Sequence, residues 1–553
     1  MSELRLYPLG GMGQVTQNMY IYQYERELLI VDCGIGFPDI YMPGIDTLLP
    51  DVSHLHKLLA DGNKIVGMCI SHGHEDHFGA LAYVLPELPS FPIWASPLTA
   101  GFAQKRLQEK GLAIQINLFE DKHPVQFGKF FSVFSVAVTH SVPDTKHLVI
   151  DTPEGVVYHG SDFKLDPNPV DGKLTDLRTI AEIGERGVFL ALVDCLRIER
   201  EEWVKSESLV GPVLEEEMAS TQGKFIITLM SSHIHRIQQI VDSAEKLHRK
   251  VVFVGRSVEQ NVDVASALGL LHLPDGIRVN KRKIANIADE SLCIVIAGSQ
   301  GQEGSSLVRA VYGEHSQLQI GPNDKVVFSA DAIPGNEIPY FKAIDELSRN
   351  GVKVIYPTIN PDIHQSGHAS APEQHELLTL LQPRFAMPIG GADRHRVKFK
   401  EMVEQSHNIS AAEVLLPKSG EVLGFQGGKV RSVAQLALTP RTVDGLGIGD
   451  VGPIVLSDRM SLSQAGIVVV VIPRFGAEYD LKNTMVVSRG FVFMKHADEV
   501  VDFIKKQTAQ IVAEQGEKAK VDDVKRAIEK QLAKRLYEVI QREPLIVPVV
   551  LEM

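Results

Sequence analysis

The distribution of apolar segments along the chain restricts its fold more than any other feature. From Leu4 to about Arg200, short apolar stretches alternate with Gly-rich turns, and their length and β-branched content favour buried strands. From about Val204 to Pro361 the pattern changes to strand, loop and helix in turn. Because strands that alternate with amphipathic helices form parallel sheets, we expect a separate α/β domain inserted into the first domain.

The chain has 553 residues, too many for one hydrophobic core, and we expect it to divide into domains. Gly-rich sequence from Val443 to Pro453 indicates a linker, and an apolar strand and two long helical segments follow it. The expected parts are 1–205 and 363–442 for the first domain, 206–362 for the insert, 443–460 for the linker and 461–553 for a small α+β domain.

Composition favours a globular cytoplasmic protein. No apolar run reaches the roughly 20 residues that cross a membrane, and the N-terminal residues lack the pattern of a secretory signal. The four cysteines, Cys33, Cys69, Cys195 and Cys293, are widely spaced, which argues against disulfides and against a cysteine-based zinc site. We therefore expect no membrane partner.

The net charge of −13 counts against nucleic acid as a partner, because phosphate neutralisation requires Lys and Arg. Net charge is not local charge, however, and short basic segments such as Lys246 to Lys250 and Asn280 to Lys283 could line a channel. Runs this short are more often solvated surface. Charge alone therefore leaves a nucleic-acid role open.

Metal-ligand residues are concentrated in the sequence SHGHEDHFGA, between a predicted strand and an apolar helix. Alternation sets His72 and His74 on one side of the turn, while Asp76 and His77 lie at the helix start, so one loop can hold two neighbouring metals. Imidazole and carboxylate at this density suit Zn²⁺, with Mn²⁺ as the alternative. Chance clustering of histidines is the other explanation, and four fixed positions argue against it.

Two further ligand candidates each follow a predicted strand. They are His140 in VTHSVPD and Asp162 in HGSDFKLD. A lone histidine at a strand end is more often structural than a ligand, but its place downstream of the histidine-rich loop favours a ligand role here.

With these residues the chain resembles the metallo-β-lactamase superfamily. The resemblance implies one metal bound by His72, His74 and His140, a second bound by Asp76 and His77, and a bridging role for Asp162.

Ordered motifs along essentially the whole chain are similar to those of ribonuclease J, in the β-CASP branch of that superfamily. They include HSVPDTKHLVIDTPEG, GSDFKLDPNPV, VGRS, GSQG, SGHAS and SDRMSLSQAGIVVVV. The resemblance implies an α/β fold: a metallo-β-lactamase αββα sandwich with an inserted β-CASP α/β domain and a small C-terminal α+β domain. It also implies an RNA channel that faces the metal site. The implied activities are 5′-to-3′ exonuclease and endonuclease cleavage, and the implied processes are RNA decay and RNA processing, including the processing of rRNA.

The same resemblance implies further site residues. Asp194 in LVDC is similar to the first acid of the β-CASP branch, and His368 in SGHAS is similar to the histidine that contacts the scissile phosphate. The pocket for a 5′-monophosphate and its RNA contacts would comprise His364, Gln365, Ser366, Gly367, His368, His233 and Arg256. Ordinary turn chemistry also explains the Ser and Gly of this segment and is compatible with phosphate binding.

Phosphodiester cleavage requires a strong nucleophile and relief of the charge that builds on the phosphoryl oxygens. Two metals held by carboxylate and imidazole meet both requirements near neutral pH. We hypothesise that Asp76 takes a proton from the attacking water. A protonated His368 would stabilise the phosphoryl oxygens or the leaving 3′ oxygen.

The stretch PIGGADRHR departs from the family motif P-[VI]-H-G-E-[YF]-R, whose histidine binds the second metal. Gly390 stands at the histidine position and Ala392 at the glutamate position. Glycine has no coordinating side chain, so we expect weaker binding of the second metal unless Asp393 or His395 reaches the site. A milder departure is His233, at a position where the family usually has asparagine.

Three functions agree with these features. The first is a cytoplasmic ribonuclease J-like enzyme with one or two Zn²⁺ per chain, acting on RNA, preferably 5′-monophosphorylated. By resemblance it would form a homodimer or homotetramer, or an assembly that includes a paralogous subunit. The second is a catalytically impaired paralogue that binds RNA or scaffolds a nuclease; the other ligand positions are intact, which favours activity. The third, a small-molecule hydrolase, predicts turnover of esters or lactams without RNA affinity, and the insert and the HQSGH segment argue against it.

Overall fold

A computed structural model of the chain describes residues 2–333, 335–409, 413–491, 497–516 and 519–553. The chain forms two compact units, Met1–Phe37 with Leu48–Arg441 and Pro38–Thr47 with Thr442–Met553. Among the described residues, no helix combines the length and the apolar character needed to cross a bilayer.

Two stacked sheets form the larger part of the first unit. Its elements as far as residue 194 are β1 (Leu4–Pro8), β2 (Met12–Gly13), β3 (Tyr20–Tyr24), β4 (Glu27–Val31), β5 (Thr47–Leu49), α1 (Ser53–Ala60), β6 (Lys64–Cys69), α2 (Glu75–Phe78), α3 (Leu81–Val84), β7 (Ile93–Ala95), α4 (Pro97–Glu109), β8 (Ile116–Leu118), β9 (Val125–Phe127), β10 (Phe131–Ala137), β11 (Lys146–Thr152), β12 (Gly155–Gly160), α5 (Leu177–Arg186) and β13 (Val188–Asp194). As predicted, this region consists largely of short buried strands.

The region that follows alternates strands and helices. Its elements are α6 (Val210–Ala219), β14 (Phe225–Thr228), α7 (Ile234–Lys246), β15 (Lys250–Val254), α8 (Arg256–Ala267), β16 (Leu292–Ile296), α9 (Ser306–Val311), β17 (Lys325–Phe328), α10 (Glu337–Arg349) and β18 (Lys353–Ile355). The strands form one sheet in the order β15-β16-β14-β17-β18, and every neighbouring pair is parallel. This sheet has its own apolar core, which includes Ile226, Ile294 and Phe328.

The chain then returns to the sandwich. The returning elements are α11 (Ala371–Leu381), β19 (Phe385–Ile389), β20 (Gly391–Ala392), α12 (Asp393–Gln405), β21 (Glu413–Val414), β22 (Glu421–Gln426) and β23 (Lys429–Gln435). β19 pairs in parallel with β13, so the whole α/β region is inserted between two neighbouring strands of one sheet.

The sandwich is closed by helices on its outer faces. Its sheets have the orders β23-β22-β1-β3-β4-β6-β7-β8 and β21-β19-β13-β12-β11-β10-β9. Tyr20, Leu190 and Met387 belong to the core between them. Helices α5, α11 and α12 cover the outer face of the second sheet, and α4 packs against β7 and β8 of the first. The expected αββα sandwich with an α/β insert is therefore confirmed.

The second unit is a small α+β structure. Its elements after β23 are β24 (Arg441–Asp444), β25 (Gly447–Ile448), α13 (Pro453–Ala465), β26 (Ile467–Phe475), β27 (Glu478–Tyr479), β28 (Met485–Arg489), α14 (Ala497–Gln515), α15 (Val521–Ile540) and β29 (Leu545–Glu552). Alternate residues of β26, among them Val468 and Val470, form its core with α14 and α15. Residues 443–460, which we expect to be a linker, contain a two-stranded hairpin and the start of α13.

Candidate metal centre

Polar side chains follow several neighbouring strands at one edge of the sandwich. β12, β13 and β19 are parallel neighbours, and β10 has the same direction because both β10 and β12 pair antiparallel with β11. His140 lies just beyond β10, Asp162 just beyond β12, Asp194 ends β13, and Gly390 follows β19. The carboxyl ends of these strands therefore bring the four positions together.

The loop between β6 and α2 supplies the remaining ligand candidates. His72 and His74 precede α2, while Asp76 and His77 lie within it. The loop packs closely at Gly73, where an added Cβ would lie 2.8 Å from the Phe102 ring. The tight loop holds the two pairs beside the strand ends.

Four residues form the first ligand group. One ligand atom each of His72, His74, His140 and Asp162 lies within 4.8 Å of the others. His74 Nδ1 is 3.1 Å from the Nε2 atoms of His72 and His140, and Asp162 Oδ2 is 3.6 and 3.8 Å from those same Nε2 atoms. Three imidazole nitrogens and one carboxylate oxygen match the usual ligands and coordination number of zinc.

The second ligand group consists of Asp76, His77 and Asp162. His77 Nε2 lies 3.5 Å from both Asp76 Oδ2 and Asp162 Oδ1. Asp162 therefore faces the first group with Oδ2 and the second group with Oδ1. A carboxylate in this arrangement can join two metal positions.

A neighbouring group holds the second ring nitrogen of each of the four histidines. The pairs are His72 Nδ1 with Ser71 Oγ at 3.0 Å, His74 Nε2 with Ser141 Oγ at 3.3 Å, His140 Nδ1 with the Gly367 carbonyl at 2.6 Å, and His77 Nδ1 with Asp32 Oδ2 at 2.7 Å. Such contacts fix the orientation of a ligand ring and direct its other nitrogen to the metal. Sequence reasoning had not identified these four partners.

Burial and charge set the protonation of the first group. Burial lowers the pKa of His74 to about 3 and holds those of His72 and His140 well below the usual value, so their lone pairs are free. Burial alone would raise the pKa of Asp162, but the neighbouring His77 and His368 outweigh it and hold that pKa well below its usual value. Neutral imidazoles and an ionised carboxylate are the forms that bind metal.

A hydrogen-bonded pair borders the two ligand groups. His368 Nδ1 lies 2.8 Å from Asp194 Oδ2 and 3.9 Å from Asp162 Oδ2. Burial opposes the charge on His368, but Asp194 and Asp162 outweigh it and raise its pKa to about 9. The site therefore has a cationic imidazole at neutral pH.

The segment from His364 to His368 is anchored by a buried arginine that sequence reasoning missed. Arg236 is fully buried, binds both carboxylate oxygens of Glu207 at 2.8 and 2.6 Å, and lies 2.7 Å from His364 Nδ1. It also donates to the Gln365 carbonyl at 3.1 Å. Within the segment, Ser366 Oγ accepts from the His368 N–H at 3.1 Å. In the sequence, Arg236 has the same helical surroundings as a solvent-exposed arginine, so its buried contacts could not be recognised there.

The two remaining substrate candidates have different positions. His233 is 4% exposed, with Nε2 3.5 Å from Glu207 Oε2, beside the Arg236 pair. Arg256 begins α8 with an exposed side chain, and no described contact joins it to the ligand groups.

Gly390 lies at the centre and leaves space there. Its φ is +64°, and an added Cβ would be 3.6 Å from Asp194 Oδ1 and 3.9 Å from Asp162 Oδ1. Neither possible substitute is among the described ligand groups. Asp393 pairs with Arg396 at 3.1 Å, and His395 Nε2 faces Glu199 at 3.5 Å. The idea that Asp393 or His395 replaces the ligand is therefore wrong for this structure.

Comparison with known proteins agrees with this centre. Three family models match, described as Metallo-beta-lactamase superfamily over residues 12–195, Ribonuclease J, beta-CASP domain over 222–347, and Ribonuclease J C-terminal domain over 454–553. A crystal structure of a protein of unknown function from Enterococcus faecalis shares the fold, with TM-score 0.54 and 16% identity over 77% of this chain and 100% of that chain.

Curated relatives cover the chain almost from end to end. Ribonuclease J of Thermus thermophilus is 34% identical over 99% of this chain and 95% of its own length. Ribonuclease J 1 of Streptococcus pyogenes is 33% identical over 100% of this chain and 98% of its own length. Ribonuclease J2 of Bacillus subtilis is 30% identical over 100% of this chain and 99% of its own length. The chain therefore belongs to the ribonuclease J family and is a metal-dependent ribonuclease.

Proposed function

We propose that the chain degrades and processes RNA by 5′-to-3′ exonuclease and endonuclease cleavage, with a preference for 5′-monophosphorylated RNA. The observation that carries this proposal is the shared Asp162, which faces a three-histidine group with one oxygen and the Asp76 and His77 pair with the other. A centre of this kind activates water and offsets charge on a phosphoryl group.

We propose zinc at the first group, with manganese as the alternative metal. Three neutral imidazoles and a carboxylate support zinc there. The second group consists of Asp76, His77 and the shared Asp162, and Gly390 has no side chain that could supply a further ligand atom. Its metal should bind more weakly, so the enzyme would carry one or two metals according to supply.

The pKa shifts of Asp76 and His368 support the roles proposed for them in cleavage. Burial raises the pKa of Asp76 to about 6, so its carboxylate accepts a proton at neutral pH and returns it readily. His368 stays protonated and can donate to a phosphoryl oxygen or to the departing 3′ oxygen. Asp194 holds that imidazolium in place at 2.8 Å.

The segment from His364 to His368 is proposed to bind the 5′-phosphate. The Arg236 guanidinium fixes this segment through His364 Nδ1 at 2.7 Å and the Gln365 carbonyl at 3.1 Å. A phosphate bound there would limit how far the RNA end extends towards His368. This supports stepwise removal of nucleotides from the 5′ end.

The test compares cleavage of one RNA carrying a 5′-monophosphate, a 5′-triphosphate or a 5′-hydroxyl, with a label at each end. Each reaction contains protein from which the metal has been removed with a chelator, either alone or with added Zn²⁺ or Mn²⁺. The metal content of the protein is measured by mass spectrometry. Metal-restored release of mononucleotides from the 5′-monophosphate RNA is the expected result. RNA binding without cleavage at any metal loading would identify a binding or scaffold subunit instead. Turnover of small esters or lactams without RNA affinity would identify a small-molecule hydrolase.

We further propose a homodimer or homotetramer formed through the second unit. Val468 and Val470 of β26 are buried, while on the opposite face Met485 and Val487 of β28 are 54% and 53% exposed. An apolar sheet face open to solvent supports contact with a second copy. Val487→Asp should shift the mass in light scattering to that of a monomer, and an unchanged mass would refute this assignment. Light scattering of the chain mixed with a paralogous ribonuclease J subunit tests for a mixed assembly, which would appear as a mass that neither protein has alone.

The cytoplasm is the proposed location. The four cysteines are free and buried, as is usual in proteins of reducing compartments. Fractionation of cells with an antibody to the chain tests this location.

A further inference from the structure

Arg197 lies near the segment from His364 to His368 and has a guanidinium with few partners in the described part of the chain. It follows the end of β13, and its backbone pairs with Ser370 in an isolated parallel bridge. Among the described residues, its buried Nε has no hydrogen-bond partner, and its one ion pair joins Nη1 to Asp331 Oδ2 at 3.9 Å. That distance is longer than a hydrogen bond. A guanidinium has five N–H donors, so Arg197 can bind a further anion.

Asp331 marks the position where such an anion would lie. Its Oδ2 is 3.7 Å from His364 Nε2 as well as 3.9 Å from Arg197 Nη1, and its side chain is 56% exposed. His364 Nδ1 accepts from Arg236 at 2.7 Å, so a neutral imidazole carries its proton on Nε2. Burial and the charge of Arg236 hold the pKa of His364 well below its usual value, which keeps the ring neutral. Two donors, the His364 Nε2–H and the Arg197 guanidinium, therefore lie within 4 Å of one solvent-exposed carboxylate oxygen.

Gln300 of the GSQG motif fixes the loop that carries Asp331. Gln300 is 2% exposed, its Nε2 donates to the Asp331 carbonyl at 3.0 Å, and its Oε1 accepts from the Ile333 N–H at 2.7 Å. One buried amide therefore holds the backbone of this loop at two points. The Asp331 carboxylate makes only the two long contacts with described residues, and exposed ion pairs of this kind contribute little. An incoming anion can therefore displace the carboxylate while the loop stays in place.

We propose that Arg197, together with the His364 Nε2–H, binds the phosphate at the 5′ end of RNA and selects a 5′-monophosphate over a 5′-hydroxyl. This inference rests on the proposed function, in which the segment from His364 to His368 binds that phosphate. A guanidinium suits the role, because it can bond two phosphate oxygens through parallel N–H groups. The carboxylate of Asp331 lies beside the same donors and competes with the phosphate for them.

Arg197→Gln is the first test. The full chain, loaded with metal, is titrated into two non-hydrolysable analogues of one short RNA, one with a 5′-monophosphate and one with a 5′-hydroxyl. Fluorescence anisotropy of a 3′ label gives the Kd of each, and the ratio of the two Kd values is the gain in affinity due to the phosphate. In Arg197→Gln this gain should fall by about tenfold, because charge-assisted hydrogen bonds to the phosphate are lost.

Two further variants complete the design. Arg200→Gln removes the same charge three residues further along, from a solvent-exposed side chain, and should keep the wild-type gain. Asp331→Asn removes the carboxylate that repels the phosphate and should raise the gain by about twofold or more. Circular dichroism and metal content report that each variant is folded. If Arg197→Gln does not fold, Asp331→Asn decides, because its side chain is exposed.

The inference is overturned if folded Arg197→Gln keeps the wild-type gain, if Arg200→Gln loses it equally, or if Asp331→Asn does not raise it. Equal weakening of both RNAs in Arg197→Gln would assign an internal phosphate to Arg197 and would also overturn the inference.

Cleavage of ordinary RNA, measured in parallel, tests the proposed function separately. A loss of the gain in Arg197→Gln without cleavage in any variant would support the role of Arg197 and contradict the function. Cleavage by wild type with an unchanged gain in Arg197→Gln would do the reverse.

Discussion

His368 donates from Nδ1 to Asp194 Oδ2 across 2.8 Å, and the two residues are 174 positions apart in the chain. The contact joins the end of β13 to the segment that follows the insert. It explains the raised pKa of His368, which Asp194 and Asp162 bring to about 9 against the effect of burial.

Asp194→Asn should therefore move the basic limb of the pH–rate profile. In wild type the imidazolium persists until the pH approaches about 9, and activity should fall above that value. Without the Asp194 charge, His368 loses its proton at lower pH, so we expect the limb to shift downward by at least about one unit. The measurement is kcat/KM for RNA between about pH 6 and about pH 10. An unshifted limb would contradict the assignment of that limb to His368.

Gly390→His should strengthen the second metal position at a cost in stability. A side chain at this position begins 3.6 to 3.9 Å from Asp194 and Asp162, within reach of the second group. We expect about tenfold tighter binding of the second metal. The left-handed φ of +64° should cost about 1 kcal/mol in the free energy of unfolding.

Gly390→Ala is the matched control for that variant, since it introduces the backbone strain without a ligand. Equal metal affinity in the two variants would show that the new imidazole does not coordinate.

Gly367→Ala should weaken the first metal position. The Gly367 carbonyl holds His140, and an added Cβ would lie 2.7 Å from Ser141 Cβ and 2.8 Å from Ser141 Oγ. Displacement of this segment should lower metal affinity by about 10- to 100-fold, measured by competition with a chelator. The added Cβ would also lie 2.9 Å from the Ser141 backbone nitrogen, so the segment itself has to move. Unchanged metal affinity in Gly367→Ala would show that the segment tolerates the added Cβ.

Glu207→Gln should destabilise the insert. Arg236 is fully buried and binds the two oxygens of this carboxylate through Nε and Nη2, so the loss of its charge partner should cost about 3 to 5 kcal/mol. Denaturant unfolding of the chelated protein at neutral pH measures the difference.

The contribution of Glu207 to the free energy of unfolding should also depend on pH. Burial alone would raise its pKa, but Arg236 and His233 outweigh burial and hold it well below the usual 4.5. A carboxyl whose pKa is lowered by folding stabilises the protein above its unfolded pKa and loses that effect as pH falls through the folded value. The stability difference between wild type and Glu207→Gln should therefore be full above pH 4.5 and shrink on acidification below it. A difference that is constant with pH would contradict this.

The ligand groups were predictable from sequence because their members end or follow strands. His140, Asp162 and Asp194 each stand at the end of an apolar run, and parallel strands carry such positions to one edge. The residues that orient them were not predictable. Ser141 has no distinguishing local pattern, since its contact with His74 depends on how two distant loops meet.

The supporting contacts of the substrate segment were missed for a related reason. Arg236 lies on α7 in a sequence that a solvent-exposed helix could equally have, and its partner Glu207 is 29 residues away. Only the closed fold of the insert buries both. The same limit applies to residues 443–460, where Gly-rich sequence suggests a linker although short strands and a helix form.

The insertion between β13 and β19 has a consequence for the order of folding. The pairing of these strands joins Leu190 to Phe385, a separation that carries a large loop-closure entropy in an unstructured chain. The insert has its own parallel sheet and core, so we expect it to collapse first, which would bring the two strand ends together and shorten the effective loop. Asp194 and His368 should then meet only after the insert has formed, and a nascent chain that ends before the insert should not cleave RNA by the proposed chemistry.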